Sequence, residues 1–289
     1  MEELLTTKEV ADFIRVNEKK IYQLVKDGSI PHVKVAGKWL FPRKHINRWI
    51  DENIEREKSI LIAGSDDILL SRLISSFSQS NWPNSTIFYS PIGSKKGLDA
   101  LKRRKAQLSC VHLLDTESGE YNLPYLTRIF HNQKYKVMTL WTRQQGFIVK
   151  KNNPLKIKAL ANILASEARF INRNEGSGTQ LLLEHLIKKE DLNFDKILEK
   201  SEKVNSHLEI AQKVFYDEAD VGIAIKYVSS LFPLDFIPIQ EERFDLVIPS
   251  DLWKTPLIKT FINHISPEKI SKLSKNLPGY NLKDTGRLI

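Results

Sequence analysis

The chain has 289 residues, 41% of them hydrophobic and 27% charged, with a formal net charge of +9 and a pI near 9.4. That is chain enough for two domains and a sizeable core, in the composition range of globular proteins. A single cysteine, Cys110, excludes an internal disulfide framework and a four-thiolate zinc site.

The N-terminus, Met1 to Glu9, is acidic and polar and does not read as a secretory signal. No run approaches 18 uncharged apolar residues, so no transmembrane helix, no membrane contact and a cytoplasmic location are expected. Thr6 and Glu9 match a capping box, and Val10, Phe13 and Ile14 mark the buried face of a first helix ending near Arg15. Asn17 caps a second helix with Ile21, Leu24 and Val25 inward, and Gly28 stops it. Lys19, Lys20, Gln23 and Lys26 fall on its other side, with Tyr22 at the edge. Val33 and Val35, then Trp39 and Phe41, alternate about Gly37 and predict a β-hairpin carrying Lys34 and Lys38. A third helix begins at Arg43 and Lys44, with Ile46, Trp49 and Ile50 inward. Between Asn17 and Ile50 eight Lys or Arg face two acids, an excess that a merely solvated surface would more often balance. Two short helices, the second studded with cations and an amide, describe a helix-turn-helix that binds double-stranded DNA. Asp51 to Lys58 reads as the helix end and a stiff charged linker.

From Ser59 strands and helices alternate. Ile60 to Ala63, Thr86 to Tyr89 and Leu108 to Leu114 read as strands of a parallel sheet, whose ligands lie outside the carboxyl ends. Those ends carry Ser65 and Asp66, Gly93 and Ser94, and His112. Val137 to Lys151 is an extended apolar crossover. A second α/β unit follows, around Arg169 to Thr179, which reads as strand, glycine-rich turn and helix start. Gly176 and Gly178 permit close backbone approach, and Ser177 and Thr179 add hydroxyls beside free N–H groups, a setting that favours an oxyanion. Ser206 caps the next helix, and Ala219 to Ile225 is a strand. Leu234 to Ile239 and Glu242 to Pro249 read as two strands returning the chain to the first lobe, and Trp253 to Ile265 as a closing helix. The polar tail, Ser271 to Ile289, is expected to be loosely held.

Two resemblances join these pieces. Thr7 to Ile14, Ile21 to Pro31, Val35 to Phe41 and Ile46 to Ile50 closely resemble, in this order, the excisionase/MerR-type winged helix-turn-helix. The resemblance implies a recognition helix in a major groove and a wing on the backbone or minor groove. Val111 to Asp115, Asn172 to Thr179, Ser206-His207, Ala219 to Gly222, Leu234 to Pro238 and Glu242 to Val247 resemble the type 2 periplasmic-binding-protein fold. More narrowly, they resemble the PBP-like domain related to molybdate and tungstate binders. Gln180 departs from that pattern, where the family often has Arg, and leaves the charge of the bound anion open.

The fold class expected is therefore α/β: a winged helix-turn-helix over 1–55, then a two-lobed PBP-like domain over 59–289. Lobe 1 would hold about 59–140 and 245–289, and lobe 2 about 150–240. The DNA-binding candidates are Lys19, Lys20, Tyr22, Gln23, Lys26, Lys34, Lys38, Arg43 and Lys44. The ligand candidates are Ser65, Asp66, Gly93, Ser94, His112, Arg173, Gly176, Ser177, Gly178, Thr179 and Ser206. Each hydroxyl has helix capping as its competing role, Arg173 a surface salt bridge, and His112 a place in the core. No constellation supports catalysis, a metal site or a bound cofactor. The resemblance implies a transcriptional regulator that senses a small oxyanion, molybdate or tungstate, in the cleft. A homodimer on paired half-sites is expected separately, because a single small winged helix-turn-helix has a limited interface. The alternatives are a sensor or carrier of a molybdenum-cofactor species, and an architectural DNA binder.

Overall fold

The computed structural model describes residues 3–53, 59–82, 84–131 and 134–289. The chain divides into two compact units, Met1–Glu57 and Lys58–Ile289. The linker read at Asp51 to Lys58 falls mostly on residues 54–58, outside the described residues.

The first unit is built on a three-stranded antiparallel sheet, β1 (Leu4–Thr6), β2 (Val33–Val35) and β3 (Lys38–Pro42), in the order β1-β3-β2. Three helices pack on it: α1 (Thr7–Phe13), α2 (Glu18–Lys26) and α3 (Arg43–Asn53). The capping box forms as the sequence predicts: the Glu9 amide donates to Thr6 Oγ1, and the Thr6 amide donates to the Glu9 carboxylate. Asn17 Oδ1 accepts from the Lys20 amide and starts α2. Val10, Ile21, Phe41 and Ile46 are fully buried, and Leu5, Ala11, Val25 and Ile30 close the small core around them. Ala36 (φ +47°) and Gly37 (φ +82°) both take the left-handed conformation that a two-residue hairpin turn requires. β1, which the sequence reading missed, is three residues long and has only Leu5 facing inward, too little for a period-2 pattern.

The second unit contains β4 (Ser59–Gly64), α4 (Ile68–Asn81), β5 (Thr86–Ser90), α5 (Ser94–Lys102), β6 (Leu108–Val111), α6 (Leu123–Phe130) and β7 (Tyr135–Lys150). There follow α7 (Leu160–Ala165), β8 (Phe170–Arg173), α8 (Gly178–Lys189), α9 (Asp195–Lys200), β9 (Lys203–Val204), α10 (His207–Phe215) and β10 (Val221–Ile225). The last elements are α11 (Lys226–Ser229), β11 (Leu234–Pro249), α12 (Pro256–His264), α13 (Pro267–Leu273) and β12 (Tyr280–Asn281). One sheet runs β5-β4-β6-β11-β7-β10-β8-β9, with β12 added on β7. β4, β5 and β6 are parallel, as are β10, β8 and β9. β7 and β11 pair antiparallel along their whole length and run through both halves. At one end Met138, Leu140, Trp141, Phe244 and Leu246 join the core of the first half. At the other, Phe147, Val149 and Ile148 join the two clusters of the second half. The carboxyl ends of β4 and β6 thus face those of β8 and β9 across the crossing.

Two expectations are corrected. The two strands read from Leu234 are one strand, β11, interrupted by an irregularity between Pro238 and Gln240. Proline lacks an N–H to donate, so the pairing shifts there and resumes. The tail is not loose. Leu277 is buried in the first core, β12 pairs with β7, and the Tyr280 hydroxyl donates to Asp67 Oδ2 at 2.9 Å. Gly286 and Ile289 donate backbone hydrogen bonds to Thr139 and Val137. Polar composition concealed this, because the tail is held by backbone bonds and a few apolar contacts.

Tyr280→Phe removes one donor from a buried carboxylate, and should lower the stability of the second unit by about 1–3 kcal/mol in urea denaturation. An unchanged midpoint would show that the tail contributes no such anchor.

Candidate functional site

The candidate nucleic-acid face read from the sequence lies on α2, the hairpin and the start of α3. Lys19, Lys20, Tyr22, Gln23 and Lys26 are all exposed on α2, opposite buried Ile21 and Val25. Lys34 and Lys38 are exposed on the hairpin, and the Lys34 ammonium lies 5.0 Å from the centre of the Trp39 ring. Arg43 and Lys44 are exposed at the start of α3. Arg43 already pairs with Glu3 at 2.9 Å and covers the Phe13 ring, so its charge is partly spent inside the unit.

In the second unit the glycine-rich turn meets the opposite half directly. The Gly176 carbonyl accepts from the Lys95 amide at the head of α5, 3.2 Å away. A Cβ on Gly178 would lie 2.3 Å from the His112 carbonyl oxygen and 2.5 Å from its ring, so only glycine fits. Ser177 caps α8 by accepting from the Gln180 amide, and Thr179 Oγ1 accepts from Gln145 Nε2 at 3.1 Å. Ser65 and Ser94 hydroxyls bond each other, and Ser94 Oγ also accepts from the His112 amide. Ser206 and Glu209 form a closed reciprocal cap on α10. Gly93, with φ +91°, ends the turn into α5 beside Gly176. The His207 amide at the head of α10 donates across the cleft to Asp66 Oδ2 at 3.2 Å.

Between these loops lies a buried charge cluster. Arg143 Nη1 donates to Asp67 Oδ2 at 2.6 Å and to the Asp66 carbonyl at 3.0 Å, and Arg143 Nε pairs with Glu242. Glu242 also holds His112 Nδ1 at 2.5 Å. Arg173 Nη2 donates to the Asn205 carbonyl at 2.8 Å, just ahead of α10. Arg143, Arg173 and His207 are each at least 97% buried. Arg143 Nη2, Arg173 Nε and Nη1, and His207 Nδ1 have no partner among the described residues. Burial pulls the Arg173 guanidinium down to about 10, with Asp66 opposing. Burial, then Arg173 and Arg143, holds His207 well below its ordinary value. Burial also lowers His112 against the pull of Glu242. Burial alone would raise Glu242, but Arg143 and His112 outweigh it and keep the carboxylate low. Such a cluster offers buried N–H donors to something bearing acceptor oxygens.

The structure thus brings Ser65, Asp66, Gly93, Ser94, His112, Arg173, Gly176, Ser177, Gly178, Thr179 and Ser206 around one crossing. The hydroxyls among them are engaged with protein partners; the spare donors belong to guanidiniums, beside one unpartnered ring nitrogen of His207. Arg143, Glu242, Asp67, Gln145 and His207 were missed as site residues. A signal existed for two of them: Arg143 and Gln145 are polar interruptions, two residues apart and so on one face, in the apolar run of β7. Among the described residues no helix is long and apolar enough to cross a membrane.

The model of the PBP superfamily domain matches residues 75–266, and a helix-turn-helix domain model matches residues 4–54. The uncharacterized protein YvgK of Bacillus subtilis (strain 168) is 25% identical over 98% of this chain and 97% of its own. The tungstate ABC transporter structure from Geobacter sulfurreducens superposes with TM-score 0.56 at 15% identity, over 76% of this chain and 100% of that one. The effector-binding domain of QuiR, in complex with shikimate, gives 0.52 at 14%, over 76% and 99%. At these identities the two structures establish the fold.

Burial lowers both buried imidazoles below the ordinary value of 6.5 in the fold. The unfolded chain therefore binds more protons below that value, and stability is lost as the pH falls through it. The melting temperature of the second unit should decline between about pH 7.5 and about pH 5, and His207→Leu should flatten the decline. A melting temperature constant across that window would contradict this account.

Proposed function

We propose that this chain, which belongs to the PBP superfamily domain family and carries a helix-turn-helix domain ahead of it, is a ligand-responsive DNA-binding regulator. The observation that carries the reading is the set of buried, unpartnered N–H groups on Arg143 and Arg173 at the crossing of the two halves. In a chain with a cationic recognition helix, such donors make the second unit the input and the first unit the output. The ligand is a small oxyanion, and molybdate or tungstate is our assignment from the family resemblance. Two guanidiniums suit a dianion better than neutral hydroxyls alone. Coupling to DNA requires that the anion favour one conformer over another. The protein works as a dimer on paired half-sites, since one small winged helix-turn-helix has a limited interface.

Lys20→Ala or Gln23→Ala should weaken binding to the specific site by about 1–3 kcal/mol if a base edge is read. Lys34→Ala and Lys38→Ala should lower affinity for every sequence and flatten the salt dependence. DNA binding that survives deletion of residues 1–58 would remove the first unit from this role. Calorimetry with molybdate, tungstate, sulfate and phosphate tests the input, and a monomer in light scattering would refute the dimer. The bound anion should raise the melting temperature of the second unit, because it binds only the folded form. Gly178→Val, which drives a side chain into His112, should abolish that rise while the first unit stays folded. DNA binding indifferent to every anion would favour the architectural alternative.

A further inference from the structure

The carboxylate of Asp66 occupies a place that its own half of the molecule does not require. It follows Ser65 at the carboxyl end of β4, yet its side chain crosses to the other half and accepts the His207 amide at the head of α10. Arg173 stands at the same helix head, bonded through Nη2 to the Asn205 carbonyl. No carboxylate is within ion-pair distance of Arg173 among the described residues, and its Nε and Nη1 have no partner. Asp66 is the acid that most strongly favours the charge of Arg173. A nine-residue helix with a carboxylate on its first amide and a spare buried guanidinium beside it is an anion seat already holding an anion.

We propose that Asp66 is an internal competitor for this seat, and that the ligand binds by displacing its carboxylate from the α10 amide beside Arg173. The inference rests on the anion-sensing reading above and adds a specificity-determining residue to it. A short aspartate satisfies the amide but leaves two guanidinium nitrogens of Arg173 unpaired. A tetrahedral dianion has oxygens enough for the amide, for Arg173 and for Arg143 Nη2 together. A monocarboxylate, chemically equal to Asp66, gains little by replacing it. The seat therefore selects tetrahedral oxyanions through the strength of the group they must displace.

The test uses full-length protein and calorimetry with sodium molybdate and with inorganic phosphate. Asp66→Asn keeps the shape and removes the competing charge, so affinity for at least one anion should rise tenfold or more. Arg173→Gln in the same background should abolish the gain. An Asp66 that only supports the fold would give unchanged or weaker binding in Asp66→Asn. In wild-type protein labelled at the aspartate carboxyl carbons, the Asp66 signal should move on saturation with molybdate while that of exposed Asp251 stays. This measurement stands even where the variant does not fold. Wild-type binding with unchanged Asp66→Asn affinity, or a stationary Asp66 signal, overturns this inference alone. Binding of neither anion by wild type or variant overturns the oxyanion reading together with it.

Discussion

Arg143 stands where β7 and β11 carry the sheet from one core to the other, and two carboxylates, Asp67 and Glu242, hold its guanidinium there. Glu242 lies directly opposite Arg143 in the strand register, so the pairing is fixed by the backbone. Burying such ions is costly, and removing one partner of a buried pair costs about 3–5 kcal/mol because a charge is left uncompensated. The arrangement therefore specifies one geometry at the crossing. Asp67 also caps α4 by accepting from the Leu70 amide and takes the Tyr280 hydroxyl, while Glu242 takes His112. Through these bonds one guanidinium ties together the first helix of this unit, the tail, the end of β6 and both long strands.

Around this point the two halves approach closely through backbone, with the Asp66 side chain crossing between them. Gly178 touches His112, and Gly176 accepts from the head of α5. Loops that meet through carbonyls and amides bring polar groups of the two halves face to face. One imidazole at α10, two guanidiniums and one crossing carboxylate come together there.

Much of this was legible in the sequence, for physical reasons. Capping residues act locally, so Thr6, Asn17, Ser177 and Ser206 announced helix starts that the structure contains. Gly176 and Gly178 marked the turn for the same reason. What escaped was set by partners far along the chain. β1 exists because β3 lies beside it, and the tail is ordered because β7 offers it an edge. Arg143 looked like an interruption in an apolar strand, since Asp67 and Glu242 are 76 and 99 residues away. The short helices α7, α9 and α11 have too few turns to show a period.

The paired strands β7 and β11 also set what kind of motion the second unit permits. A two-strand ribbon behaves as a leaf spring. It bends readily out of its own plane, where hydrogen bonds tilt without breaking. Along its length it is stiff, because a slip by one residue would turn every inward side chain outward. Its register shifts at two places, between Pro238 and Gln240 and between Phe244 and Asp245. By this pairing, a change of angle between the halves costs less than a slide of one strand along the other.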